Sequence, residues 1–221
     1  MLTCFKAYDI RGRLGEELNE DIARRIGRAF AHVLAARKVC VGRDCRASSE
    51  ALMAATVEGL LAAGAEVLDL GLCGTEEMYH AVTHFGADGG IEVTASHNPM
   101  DYNGMKMVRA GSAPLDPALM RAVHDMADGG DFPAGGQGRV AAAPGARAGY
   151  VATVTGFADP AALRPLHILV NCGNGAAGPT FDALAEALQA KGAPFLYTRL
   201  YHDPDGSFPN GIPNPLLPEN Q

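Results

Sequence analysis

Thr94-Ala95-Ser96-His97-Asn98-Pro99, continued by Asp101-Tyr102-Asn103-Gly104 and Lys106, lies between two apolar runs. Gly89-Gly90-Ile91-Glu92-Val93-Thr94 before it reads as a buried strand, and Met105-Lys106-Met107-Val108 after it reads as another. A strand–loop–strand frame of this kind holds Ser96 and Lys106 near each other. A hydroxyl nucleophile, an imidazole, an amide and an amine therefore share one short loop.

Outward from this loop, helical and strand patterns alternate. Asn19 can cap a helix with Ile22, Ile26, Phe30, Val33 and Leu34 on one face. Val39-Cys40-Val41 is a short apolar strand ending at Gly42. Ser48 or Ser49 caps a helix over 50–63 that Gly64 stops. Glu66 to Leu70 is a strand, and Thr75 opens a helix to about Phe85. Pro117 suits the first turn of a helix reaching Ala127. The pattern predicts an α/β fold, a three-layer α/β/α sandwich on a mixed, mostly parallel four-stranded sheet. The Met105 strand or a neighbour is the expected antiparallel member, with right-handed crossovers between parallel pairs.

Residues 128–149 are rich in Gly, Pro and Asp, and a domain connection is expected there. This gives a first domain over 1–140 and a second over 141–221. The second repeats the α/β design, with a helix near 150–158, strand 167–171, helix 179–190 and strand 195–200. A proline-rich run from Asp203 to Pro215 follows, which resists both helix and sheet. Two strands fall short of the usual sheet of about four to six. The second domain thus reads as incomplete and the chain as part of a longer protein. Unpaired strand edges offer a route to a homodimer through that domain.

The formal charge of −7 argues against a nucleic-acid partner. Lys6, Arg11, Arg13, Arg43, Arg46, Lys106 and Arg109 nevertheless flank predicted loops. Basic loops on an acidic body fit an anionic small ligand, or equally a scatter of surface charge. No apolar run approaches the ~20 residues that span a bilayer, and Met1 to Lys6 lacks a secretory apolar region. No membrane partner and a cytoplasmic location are expected. The 5 cysteines form no Cys-x-x-Cys pair, so reduced, buried thiols are expected.

Ser96 needs help to react, since a serine hydroxyl is a weak nucleophile. It lacks the Gly-x-Ser-x-Gly elbow of hydrolases, which disfavours acyl transfer. A serine cycling between hydroxyl and phosphate needs cations against an added charge of about −1.5 to −2. It also needs a group that moves a proton on the accepting hydroxyl. Lys106 serves if neighbouring cations or burial depress its pKa. Asn98 and backbone N–H groups can orient phosphate oxygens.

These residues resemble a known family. Thr94 to Pro99 with Tyr102-Asn103-Gly104-x-Lys106 resembles the phosphoserine loop of the α-D-phosphohexomutases. Tyr8-Asp9-Ile10-Arg11-Gly12 resembles their N-terminal active-site segment, and Gly42-Arg43-Asp44-x-Arg46 their second-strand motif. Pro204-Asp205-Gly206-x-Phe208-Pro209-Asn210-x-x-Pro213-Asn214-Pro215 matches a further stretch. Gly74-Thr75-Glu76-Glu77 and the run from Gly211 to Asn220 are most similar to the bacterial phosphomannomutases within it.

The resemblance implies that Ser96 carries the phosphoryl group and that its phosphate is one ligand of Mg²⁺. Lys106 becomes the general base or acid, Arg11 steadies the transferring phosphoryl, and His97 joins them in the cleft. Tyr8, Asn98 and Arg43 become substrate contacts. The implied reaction interconverts mannose 6-phosphate and mannose 1-phosphate through a 1,6-bisphosphate, which also serves as activator. The family's aspartate-rich metal loop is expected beyond Gln221, so this length of chain is expected not to turn over alone. Phosphoglucomutase and phosphoglucosamine mutase are the nearest alternatives. A different class is raised by Gly173-Asn174-Gly175-Ala176-Ala177-Gly178, which fits the G-x-G-x-x-G dinucleotide pattern or a tight structural turn. His80 and His84 have a metal-capable spacing but no evident third ligand, and an exposed helix face is expected there.

Overall fold

The structure, a computed structural model, describes residues 1–218. Residues 219–221 lie outside the described residues, and with them the last two positions of the family-like run from Gly211 to Asn220.

Alternation along the strands sorts the core into two layers. In β2 (Lys38–Arg43), Val39 and Val41 face one side and Cys40 the other. The first side packs against α1 (Glu20–Val33), α2 (Ser49–Ala62) and α4 (Pro117–Gly129) through Ile26, Phe30, Leu52, Leu60 and Val123. The second packs against α3 (Thr75–His84) through Met78, Ala81 and Val82. The expected three-layer sandwich results. Asn19 caps α1, its Oδ1 accepting from the Ile22 N–H at 3.0 Å, and Asp116 caps α4 in front of Pro117. Helices α1 and α2 lie unusually close because Gly27 and Gly59 face each other's partner helix. A Cβ on Gly27 would stand 2.3 Å from the Thr56 carbonyl oxygen, and one on Gly59 2.0 Å from that of Arg24.

The main sheet has the order β1 (Ile10–Arg13), β5 (Tyr102–Arg109), β4 (Gly89–Val93), β2, β3 (Glu66–Leu72), β7 (Arg139–Ala142), with β6 (Ala113–Pro114) against β5. Strand β2 runs parallel to β3 and β4, and β3 parallel to β7. Strand β5 is antiparallel to β4, β1 and β6, as expected of the Met105 strand. The four anticipated strands form the centre, but the sheet is wider. Strand β1 buries Ile10 and Gly12 and has no apolar period to betray it. Strand β7 is an exposed edge inside the glycine-rich stretch, tied to β3 by Arg139 Nε and Glu66 at 2.9 Å. It crosses position 140, within the segment expected to be a connection.

A second sheet holds β8 (Leu166–Asn171) and β9 (Phe195–Leu200), parallel, with α6 (Ala177–Ala190) between them in sequence. Helix α5 (Ala146–Gly156) begins four residues earlier than expected and lies between α3 and α6. Glu77 joins these layers. Its buried carboxylate accepts from the Gly74 N–H at 2.9 Å, Arg147 Nε at 3.1 Å and Thr180 Oγ1 at 2.6 Å. Helix α5 also covers His80, whose Nε2 meets Thr153 Oγ1 at 3.0 Å while its ring stacks on His84. That face of α3 is therefore partly covered rather than wholly exposed. All 5 cysteines are free; Cys4, Cys40 and Cys73 are buried, and Cys45 and Cys172 partly so.

Glu92 is the anomaly of β4, 1% exposed. Its Oε2 accepts from Cys73 Sγ at 3.4 Å and its Oε1 has no hydrogen-bond partner. Burial pushes its pKa well up, against the Cys73 bond, and the negative charges of Asp44, Glu77 and Glu76 push it further. The folded chain holds the proton to a higher pH than the unfolded chain does. The native state thus loses relative stability as pH rises above the ordinary carboxyl range toward the raised value. Glu92→Gln removes this slope. Its urea midpoint, compared with that of the parent, should gain between pH 5 and pH 8; a constant difference across that range would contradict the assignment.

Candidate active site

At the end of β4 the chain stays buried through Thr94 and Ala95, then emerges at Ser96. Ser96 has φ +52°, a left-handed conformation that costs a non-glycine residue about 1–2 kcal/mol. Several bonds hold it there. The Ser96 N–H donates to Thr94 Oγ1 at 2.9 Å, and its carbonyl accepts from Arg46 Nη2 at 3.0 Å. The Asn98 N–H closes a turn onto Ala95 O, and the Tyr102 N–H another onto Pro99 O. Ser96 Oγ lies exposed, 3.2 Å from His97 Nδ1.

Arg46 organises this loop. Its guanidinium donates to four backbone carbonyls: Ser96 at 3.0 Å, Asn98 at 2.6 Å, Pro99 at 2.9 Å and Tyr102 at 3.3 Å. Arg46 is 3% exposed. Burial lowers its pKa from the ordinary arginine value, while Asp44, 3.6 Å from Nε, opposes that shift. Asp44 Oδ1 accepts in turn from the Arg46 N–H at 3.0 Å and from Ser49 Oγ. On its far side Arg46 lies over the Phe208 ring, 5.5 Å from the centroid. Phe208 is buried and belongs to the proline-rich run. Gly206 of that run approaches so closely that a Cβ there would be 2.2 Å from the Cys45 carbonyl.

The register of β1, β5 and β4 brings Arg11 and Lys106 to one face. Arg11 lies opposite Gly104, and Lys106 opposite Glu92, so the two cations project on the α3 side of the sheet. Arg11 donates from Nη1 to Thr94 O at 2.8 Å and from Nη2 to Asp9 Oδ2 at 2.8 Å, with its side chain 12% exposed. Lys106 is half-buried. Tyr8 is 85% exposed beside this face, and Asn98 is half-buried with its carbonyl in the Arg46 fork. Arg43 is not joined to the loop. It donates to Asp44 O at 3.2 Å, reaches Glu50 at 3.4 Å and lines a cleft with Met53 and Asp69.

In sequence Arg46 stands among the loop cations and in the Gly42-Arg43-Asp44-x-Arg46 motif, but without a role of its own. The signal that could have singled it out is Asp44-x-Arg46 directly after a strand, where a turn returns the arginine to the strand's carboxyl edge. The Gly173 to Gly178 turn is filled by its own chain. Asn174 donates from Nδ2 to Asp203 O at 3.0 Å, its carbonyl accepts from the Asp205 N–H, and a Cβ on Gly178 would lie 2.1 Å from His202 O. These contacts favour a structural role for the glycines. Among the described residues, no group of three or more His, Cys, Asp or Glu side chains could hold a metal ion. Ser96 alone does not build the six-oxygen shell that Mg²⁺ prefers.

The clamp predicts a local effect. In Arg46→Ala, amide exchange at Ser96, Asn98 and Tyr102 should accelerate by about tenfold or more, the equivalent of one or more lost hydrogen bonds. Amides of α1 should keep their protection, and Arg46→Lys, lacking the planar fork, should restore only part of it. Unchanged exchange in the alanine variant would show that the loop holds its shape without the guanidinium.

Comparison with known proteins places the chain among relatives. The family described as phosphoglucomutase/phosphomannomutase, alpha/beta/alpha domain I, matches residues 3–134. A phosphomannomutase of Salmonella typhimurium is 54% identical over 225 residues, covering 99% of this chain and 48% of that protein. A protein named phosphohexose mutases from Xanthomonas campestris is 49% identical, covering 100% of this chain and 48% of its own length. The crystal structure of a phosphoglucomutase/phosphomannomutase family protein from Burkholderia thailandensis superposes with a TM-score of 0.86 at 38% identity, covering 100% of this chain and 48% of that one. The chain thus spans about half the length of the relatives it matches. With a family match over more than half its residues, the chain belongs to the phosphoglucomutase/phosphomannomutase family.

Proposed function

We propose that this chain is the phosphoryl-carrying part of a phosphohexomutase, with Ser96 as carrier and mannose 6-phosphate and mannose 1-phosphate as substrates. The observation that supports it most is the hold on Ser96. An exposed hydroxyl stands on a left-handed residue whose carbonyl is gripped by a buried guanidinium. Such fixation suits a group that must meet a substrate in one geometry, because phosphoryl transfer depends mainly on positioning and charge.

In this reading, phosphorylated Ser96 gives its phosphoryl group to a hexose hydroxyl, forming a 1,6-bisphosphate. The bisphosphate turns over and returns its other phosphate to Ser96. Arg11, which keeps further N–H donors beyond its bonds to Thr94 and Asp9, steadies the transferring oxygens. Lys106, on the same sheet face, takes or returns the proton of the hexose hydroxyl. His97 Nδ1 receives the Ser96 proton or orients its phosphate. Tyr8 and Asn98 border the approach, and Arg43 meets substrate only if it leaves Glu50. A phosphate on Ser96 would give Mg²⁺ one oxygen ligand, and the remaining ligands are not built by the described residues. Mannose is preferred because relatives of about half identity carry the name phosphomannomutase. Glucose and glucosamine phosphates are the alternatives to compare. We also propose that residues 1–221 alone do not turn over, since they span about half of such relatives.

Intact mass with fragmentation tests the carrier. In the complete protein, after exposure to a hexose 1,6-bisphosphate, phosphate should be found on Ser96, and Ser96→Ala should accept none. The same substitution should abolish mutase turnover. Full turnover without the hydroxyl, or phosphate on other serines but never on Ser96, would end this reading.

A further inference from the structure

A second arrangement of reactive groups lies at the carboxyl ends of β8 and β9, and it does not depend on the function proposed above. The parallel register pairs Asn171 with Leu200, so the residues just beyond both strands emerge side by side. Cys172 follows β8, and its N–H donates to Leu200 O at 3.0 Å. His202 follows β9, and Asp182 projects from α6. Cys172 Sγ is 3.6 Å from His202 Nδ1, and His202 Nε2 is 2.8 Å from Asp182 Oδ2. Asp182 Oδ1 accepts from Arg199 Nε at 2.8 Å. From these contacts we infer that Cys172 is a base-activated thiol and a site of oxidation by hydrogen peroxide.

The hydrogen-bond logic fixes the tautomer. An ionised carboxylate only accepts, so in the neutral imidazole Nε2 carries the proton and Nδ1 presents its lone pair to the thiol. The bonds from His202 and Arg199 lower the Asp182 pKa and keep it ionised. A nucleophile within reach of a base, with that base oriented by a third group, is the arrangement that activates hydroxyls and thiols generally. Burial and the Asp182 charge raise the Cys172 pKa, so the resting group is a thiol and its reactivity requires transfer of its proton to His202.

The other cysteines lack this company. Burial pushes Cys4 up to about 11 and Cys40 up to about 12, and it raises Cys73 as well. Cys45 donates to the Asn174 carbonyl at 3.4 Å, and burial and Asp44 raise its pKa. Among the described residues, no other thiol has an imidazole as its hydrogen-bond partner.

The chemistry balances without a further reactant. The thiol proton passes to His202, the sulfur attacks one peroxide oxygen, and the O–O bond breaks. Sulfur is oxidised to the sulfenic acid, and the departing hydroxide takes the proton from the imidazolium and leaves as water.

The test uses the 221-residue chain. Brief treatment with dilute hydrogen peroxide in the presence of dimedone should place the adduct on Cys172 at least about tenfold faster than on Cys45. His202→Gln and Asp182→Asn should each slow labelling of Cys172 while the rate at Cys45 stays constant. A constant rate at Cys45, whose thiol bonds to the Asn174 carbonyl beside this site, reports that the region keeps its fold; if His202→Gln speeds Cys45, Asp182→Asn decides. Labelling of Cys172 no faster than Cys45, or unchanged by the substitution in a folded variant, would overturn the assignment.

Discussion

A single buried guanidinium holds the reactive loop in shape. Arg46 is charged and almost fully enclosed, a costly state unless every donor is well used. Here the cost is offset by Nη1 and Nη2 bonds to four carbonyls and by the charge of Asp44, while Nε makes no hydrogen bond and faces Asp44 at 3.6 Å. Asp44 is itself held by the Arg46 N–H and by Ser49 at the start of α2, and Asn103 of β5 donates to Ser48 and Ser49. The loop that carries Ser96 is thus fastened to a helix start and to both neighbouring strands.

The same arginine reaches the other sheet. Phe208 covers its outer face, Gly206 packs on Cys45, and Cys45 Sγ donates to Asn174 at the start of the α6 loop. Asn174 in turn gathers Tyr201, Asp203, Asp205 and Asn210 through its backbone and side chain. The proline-rich run, which has no helix or strand of its own, takes its shape from these contacts. Together with Glu77, which binds Arg147 and Thr180, they tie the second sheet to the first at two separate points.

Much of this was legible in the sequence, for identifiable reasons. The Ser96 loop is contiguous, so its hydroxyl, imidazole and amine could be read together. Asn19, Pro117 and Gly64 punctuate helices by local chemistry, which survives in any tertiary setting. Strands β1 and β7 were not legible as sheet members, because each has four residues, too few to show a period, and β7 lies inside a glycine-rich stretch. Arg43 and Arg46 sit three residues apart in one motif yet serve different surroundings, and only the turn at Asp44 and Cys45 separates them. Glu92 looked like an ordinary strand residue, since its enclosure comes from Cys73 and α3, which lie elsewhere in the chain.

The Arg46 fork grips main-chain oxygens, and every residue type supplies one. Side chains at positions 97 to 100 are therefore released from the task of keeping the loop's outline. Main-chain oxygens thus set the loop's outline, and its side chains are left to set what the loop meets.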